Sequence, residues 1–327
     1  MNCNDSQFLG LDAATRHALS RRTFLKQSAG GLGLAALGTM LSPQLWGSKG
    51  ELSGFPNFKP KAKRIIYLFQ SGAPSQMDLF DPKPQMAKLR GQDLPASIRQ
   101  GQRLTTMTSG QKSFPVAPSV FKFQQHGQSG MWFSDAMPHM AGKADEWCMV
   151  RSMFTEAINH DPAITFMQTG SQLAGRPSIG AWASYGLGSE NDNLPAYVVM
   201  TSFGSGRPDD QPLYDRLWGA GFLPSRHQGV KLRNKGERVL YLKDPEGLSR
   251  DLRRESLDEI SAINQQHLGV LGDPEIRTRI DQYELAFRMQ TSVPDLLDFS
   301  KEPAHVLDLY GPDVKRPGSY ASNCLLA

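Results

Sequence analysis

Cysteine is nearly absent from this chain. Cys3, Cys148 and Cys324 are the only three in 327 residues, and no two stand at C-x-x-C or zinc-type spacing. That excludes a disulfide scaffold and a cysteine-rich metal module, both of which need several thiols at short spacing. Cys3 falls in the targeting segment argued below, so Cys148 and Cys324 are the one pair left open to a disulfide. An excess of one charge is missing too. The formal net charge is +4, and part of it sits in the amino-terminal Arg/Lys cluster, so there is no basic footprint for nucleic acid. No apolar run reaches the roughly 20 residues that a membrane-spanning helix needs. The loop Ser202-Phe203-Gly204-Ser205-Gly206 has neither Walker nor dinucleotide spacing, and no helical pattern follows it directly. There is no internal repeat. With 39% hydrophobic and 21% charged residues, the chain has an ordinary globular balance and the length for one large domain or two.

The most specific signal stands near the start. Ser20-Arg21-Arg22-Thr23-Phe24-Leu25-Lys26 fits the twin-arginine export pattern, and an uncharged stretch rich in Gly, Ala and Leu runs behind it from Ser28 to Leu41. Such an address is read by an export machinery, here the expected partner, and is then removed or kept as a tether. No clean A-x-A cleavage site follows. The expectation is a signal peptide and tether over 1–48, a Pro/Lys-rich linker over 49–62, and a folded domain over 63–327. The protein would be periplasmic or extracellular and would meet the membrane only through an uncleaved leader.

The domain opens on Ile65-Ile66-Tyr67-Leu68-Phe69, an unbroken apolar run between basic residues and the Gly/Pro turn Ser71-Gly72-Ala73-Pro74-Ser75. Such a run predicts a fully buried central strand of a mostly parallel sheet with helices on both faces, an α/β fold. Ligands of such sheets bind at strand carboxyl ends, where Ser71 and Ser75 would lie, with Asp78 and Asp81 just beyond. A polar excursion with short elements then runs to about Gly130. Met137-Pro138-His139-Met140 opens a short helix. Residues 146–152 and 194–201 read as further strands. Asn159-His160-Asp161-Pro162 predicts a helix start with Asp161 as N-cap and Pro162 first in the helix, and Gly170 suits its left-handed end. Such a start favours anions, because its N–H groups point outward and its dipole is positive. Two amphipathic helices follow over 248–271 and from Asp273-Pro274 onward. From Ser300 the chain reads as loop.

The chain resembles the exported bacterial family known as domain of unknown function 1501. The residues that carry the likeness are the twin-arginine leader, Gln70 through Ser75 to Asp81-Pro82-Lys83-Pro84, Asn159-His160-Asp161-Pro162, Met167-Gln168-Thr169-Gly170 and Tyr283 to Gln290. That family is similar in turn to the alkaline-phosphatase and sulfatase superfamily. His160, Pro162, Thr169 and Gly170 fall in the sulfatase register, which places His160 at the nucleophile's position and Ile164 where an arginine would stand. The resemblance implies an alkaline-phosphatase-like α/β fold, an anionic ester substrate and a divalent metal. Gln70-Ser71 stands where relatives carry acidic ligands, and no cysteine has the surroundings for formylglycine chemistry. Relatives continue into a half that supplies further Asp and His ligands, so the chain reads as truncated, with its metal site incomplete.

Each candidate has a plain reading beside the functional one. His160 is a nucleophile or metal ligand, or a histidine that holds a turn. Asp161 is a catalytic group or a helix cap. Asp78 and Asp81 are metal ligands or an acid–base pair, or solvated turn carboxylates. Ser71, Ser75 and Asn159 bind an anion, or serve turn hydrogen bonding. His126, His139, His227, His267 and His305 lack a partner at ligand spacing and read as structural, and Met137 and Met140 as core filling. Two functions follow: an exported hydrolase of anionic esters, or a non-catalytic exported binding or assembly protein on the same fold.

Overall fold

The computed structural model describes residues 61–327, apart from 73, 100, 102, 106, 107, 204–213 and 241. The leader, with Arg21 and Arg22, and nearly all of the linker therefore lie outside the described residues. The chain divides into two units, one of Tyr67–Leu173 and one of Ala174–Ala327 together with the residues up to Ile66.

The run expected to be the central strand forms no strand. Ile65, Ile66, Tyr67 and Leu68 are 68%, 60%, 44% and 63% exposed. The Tyr67 and Phe69 rings stack at 6.0 Å, as alternate side chains do where the backbone is extended. An apolar run encodes a wish to be buried, but a strand also needs neighbouring strands to take its N–H and C=O groups, and among the described residues no strand lies in register with it. The strand expected over 146–152 fails likewise, with Trp147 and Val150 exposed.

In the unit of Tyr67–Leu173, helices α1 (Gln76–Leu79) and α2 (Ala96–Arg99) are single turns. Helix α2 belongs to the polar excursion, whose short elements were expected, whereas α1 lies ahead of it. Strands β1 (Phe123–His126) and β2 (Met131–Ser134) form an antiparallel hairpin, with Phe123 opposite Ser134 and His126 opposite Met131. Its loop is pinned from outside. Asp145 accepts from the backbone N–H groups of Gln128 at 3.0 Å and Ser129 at 2.9 Å, and these bonds hold its carboxyl below the usual range. Gly127, at φ 67°, faces this carboxylate, and any Cβ there would collide with it. Helix α3 (Pro138–Ala141) starts at its proline, as expected. Phe133, Ala141 and Ala144 are the buried centre, flanked by Phe80, Met131, Met137 and Met140. Met137 and Met140 do fill core space. Helix α4 (His160–Thr169) ends at Gly170, which takes the left-handed conformation at φ 72°.

The other unit begins with α5 (Ile179–Leu187), capped by Ser178, whose hydroxyl accepts from Ala181 N–H. Gly180 lies flat against the Tyr197 ring with no room for a Cβ. Of the strand expected over 194–201 only β3 (Val198–Met200) forms, paired in parallel with β4 (Val230–Leu232). The described residues thus hold a mixed α/β structure with two two-stranded sheets, rather than one large doubly covered sheet. Helices α6 (Arg250–Leu271) and α7 (Pro274–Leu297) pack on each other. Their ends follow sequence rules: Ser249 caps α6, Gly272 ends it at φ 63°, and Asp273 caps α7 ahead of Pro274. Arg254 bridges them, with its two Nη atoms 3.0 and 2.6 Å from the Glu284 carboxylate.

The segment beyond Ser300 is not loop. It carries α8 (Ala304–Leu309), a turn of 3-10 helix over Pro312–Lys315, and α9 (Tyr320–Leu326). These pieces are too short for a periodic pattern, and isolated helices of this length are unstable in water. Of these, α9 is held from elsewhere by Arg238 on Ser322 and Asn323.

Candidate functional site

The helix start that carries His160 differs by two residues from expectation. Asn159 is the N-cap, with extended backbone at φ −127° and ψ 156°, and its side chain makes no cap hydrogen bond. His160 is the first helical residue, Asp161 lies in the first turn and Pro162 is third. Proline is tolerated throughout a first turn, where N–H groups have no intrahelical acceptor. The cap is fixed instead by where the chain leaves the extended region. Ala163 N–H donates to Asn159 O at 3.1 Å. Further along, Thr165 and Thr169 hydroxyls donate to the carbonyls one turn back, Asp161 O at 2.8 Å and Thr165 O at 2.7 Å. Ile164, Thr165 and Gln168 are buried, whereas His160 and Asp161 are exposed at the tip. Asp161 already supplies a negative charge to this helix dipole.

The serine–aspartate turn in the same unit is built mainly from its own parts. Gly72, at φ 87°, makes the bend. Ser75 precedes α1, and Asp78 N–H donates to Ser75 O at 3.1 Å. The Asp78 carboxylate accepts from the hydroxyls of Ser119 and Ser75, which hold its pKa below the ordinary value. Asp81 pairs with Lys83 Nζ at 2.7 Å, a surface pair worth about 0–1 kcal/mol. The Ser71 hydroxyl is buried without a hydrogen-bond partner among the described residues. Among the described residues, the His160 side chain makes no hydrogen bond or ion pair to this turn.

A divalent metal asks for three or more converging donors. Among the described residues no His, Cys, Asp and Glu side chains form such a group, and the oxygens of Asp78 and Asp81 are engaged by hydroxyls and Lys83. No third such donor joins Asp78 and Asp81 among the described residues. Cys148 and Cys324 are both free thiols.

The family described as a protein of unknown function, DUF1501, matches residues 62–327. The chain belongs to that family. No curated protein and no solved structure matches it. Membership covers both units of this family member, the α4 start and the serine–aspartate turn included.

Sequence reasoning passed over three groups. Ser119 is the first partner of Asp78 yet stands 41 positions away, with nothing local to mark it. Ser184 and His227 form a buried pair in the other unit, Oγ to Nδ1, at 2.9 Å. Its polarity can be read. Arg226 Nε donates to His227 Nε2 at 3.1 Å, so the ring proton sits on Nδ1 and is donated to Ser184. The imidazole therefore does not take a proton from that serine, as a nucleophile's base must, which fits a structural histidine. Burial, then the Arg226 charge, pushes its pKa down to about 4. The third group surrounds Arg238.

Proposed function

We propose that this DUF1501 protein is exported by the twin-arginine route and acts outside the cytoplasm as a non-catalytic binding protein for an anionic ester or acid, on a fold of alkaline-phosphatase ancestry. The leader residues Arg21 and Arg22 support export, and the register of His160, Pro162, Thr169 and Gly170 supports the ancestry. One observation carries the choice of binding over turnover. Ile164, where the superfamily has an arginine, is only 7% exposed and belongs to the packed face of α4, while the exposed tip offers Asn159, His160 and backbone donors beside the Asp161 carboxylate. The donors can hold an oxyanion, but Ile164 supplies no second positive charge for a transition state.

The exposed imidazole favours one other reading, hydrolysis. There His160 attacks phosphorus or sulfur, the bond to the alcohol oxygen breaks, and water then cleaves the bond to nitrogen. The two readings are separated by assaying the full chain on p-nitrophenyl phosphate and sulfate, with and without added divalent ions. The binding reading expects no turnover above a His160→Ala control and a His160 ring resonance that moves on adding the ester. Turnover that His160→Ala abolishes would replace it with the hydrolase.

A further inference from the structure

Among the described residues, Arg238 is a buried charge without a counter-charge. It is 9% exposed, yet its partners are neutral: Nη1 donates to Asn323 Oδ1 at 2.8 Å and Nη2 to Ser322 Oγ at 2.7 Å. No ion pair joins it to a carboxylate among the described residues. A guanidinium does not shed its proton in a protein, and a buried ion without compensation costs several kcal/mol. Burial alone disturbs its ionisation, downward, with no acid acting against it.

The surroundings are built to donate. Asn323 and Ser322 are 6% and 1% exposed. The Asn323 amide donates to Ser202 Oγ at 3.1 Å, so Asn323 serves as acceptor to Arg238 and donor to Ser202. Ser322 Oγ and Ser202 Oγ each accept, which keeps both hydroxyl protons available. Of the five N–H groups on the guanidinium, two are committed to these partners. The next residue, Phe203, is fixed by its N–H on Gly318 O at 2.9 Å and lies under two more cations, Lys235 Nζ at 5.8 Å and Arg316 Cζ at 5.5 Å from its ring centre. One charged fork, two hydroxyl donors and two flanking cations with no acid among them are the complement of an oxyanion.

We infer that Arg238, Ser322, Asn323 and Ser202, flanked by Lys235 and Arg316, form a binding site for a tetrahedral oxyanion, a phosphate or sulfate group. This site lies in the unit of Ala174–Ala327 and does not rest on the reading of His160. It is tested on the full chain by calorimetric titration and thermal denaturation with inorganic phosphate and sulfate, against chloride at matched ionic strength. The expected result is a saturable site, sensitive to Arg238, that raises the melting temperature. Arg238→Lys loses the fork and should bind roughly tenfold more weakly. Lys235→Ala and Arg316→Ala should weaken binding several-fold while the anion-free melting temperature stays put, which keeps the test open should Arg238→Lys fold poorly. Phenyl phosphate beside inorganic phosphate tells a terminal monoester from the free ion. The Arg238 site should persist in His160→Ala, and its loss there would move the anion to α4 and overturn the assignment. No saturable effect beyond chloride would also overturn it. So would an Asp209→Asn, Asp210→Asn double variant that loses stability as Arg238→Lys does with no response to phosphate, since Arg238 would then be the arm of an internal ion pair.

Discussion

Acidification should destabilise the unit of Ala174–Ala327 through His227, and the size of the effect follows from its surroundings. The ring is 6% exposed, donates to Ser184 and accepts from Arg226. Its folded pKa is pushed down to about 4 from the ordinary 6.5. A group with a depressed folded pKa binds its proton first in the unfolded chain. Its share of stability is whole above pH 6.5 and drains away as pH falls toward 4. Linkage sets a ceiling of about 3 kcal/mol on that loss, and solvent relaxation around the ring brings the expected figure to roughly 1–2 kcal/mol. For a unit of this size that is a fall of about 2–8 °C in melting temperature. Asp281, whose carboxyl is raised by burial, works in the opposite sense, so a scan of the wild type alone mixes the two. The assay is therefore a difference: urea unfolding of wild type and His227→Asn at closely spaced pH values from 7.5 to about 4. Asparagine keeps a donor where Nδ1–H stands but does not titrate. The wild type should start more stable and converge on the variant as the pH drops. Parallel curves across this window would refute the argument.

Three further outcomes are expected. Phe133→Ala empties the centre of the Phe133, Ala141 and Ala144 cluster and should cost about 3–5 kcal/mol; hydrogen exchange should then lose protection across 123–134, and unchanged protection there would show that the hairpin does not depend on this ring. Gly180→Ala drives a methyl into the Tyr197 ring and should cost roughly 1–3 kcal/mol of overpacking, read as a lower urea midpoint; an unmoved midpoint would mean that Tyr197 gives way freely. Replacing Arg21 and Arg22 by lysine should strand the precursor in the cytoplasm, as cell fractionation would show, and normal export of that variant would remove the twin-arginine assignment.

What the sequence determined by itself is local. Asp273 and Pro274 start α7, Gly272 stops α6, Gly170 stops α4 and Pro138 opens α3 because a cap, a fixed φ or a left-handed turn is settled within a few residues. The amphipathic periods of α6 and α7 were legible for the same reason. Family membership was legible too, from short motifs that need no tertiary context. Tertiary structure decided the rest, because pairing and burial require a partner that spacing does not name. Ile65, Ile66 and Leu68 carry the hydrophobicity of a central strand and stay exposed for want of neighbouring strands. Helix α9 is held by the distant side chain of Arg238. Among the candidate residues, the sequence identified His160 at a helix start, and the structure showed it exposed. That Asp78 is held by Ser119, that His227 gives its proton to Ser184, and that Arg238 is buried among neutral partners were fixed only when the chain brought remote residues within hydrogen-bond reach.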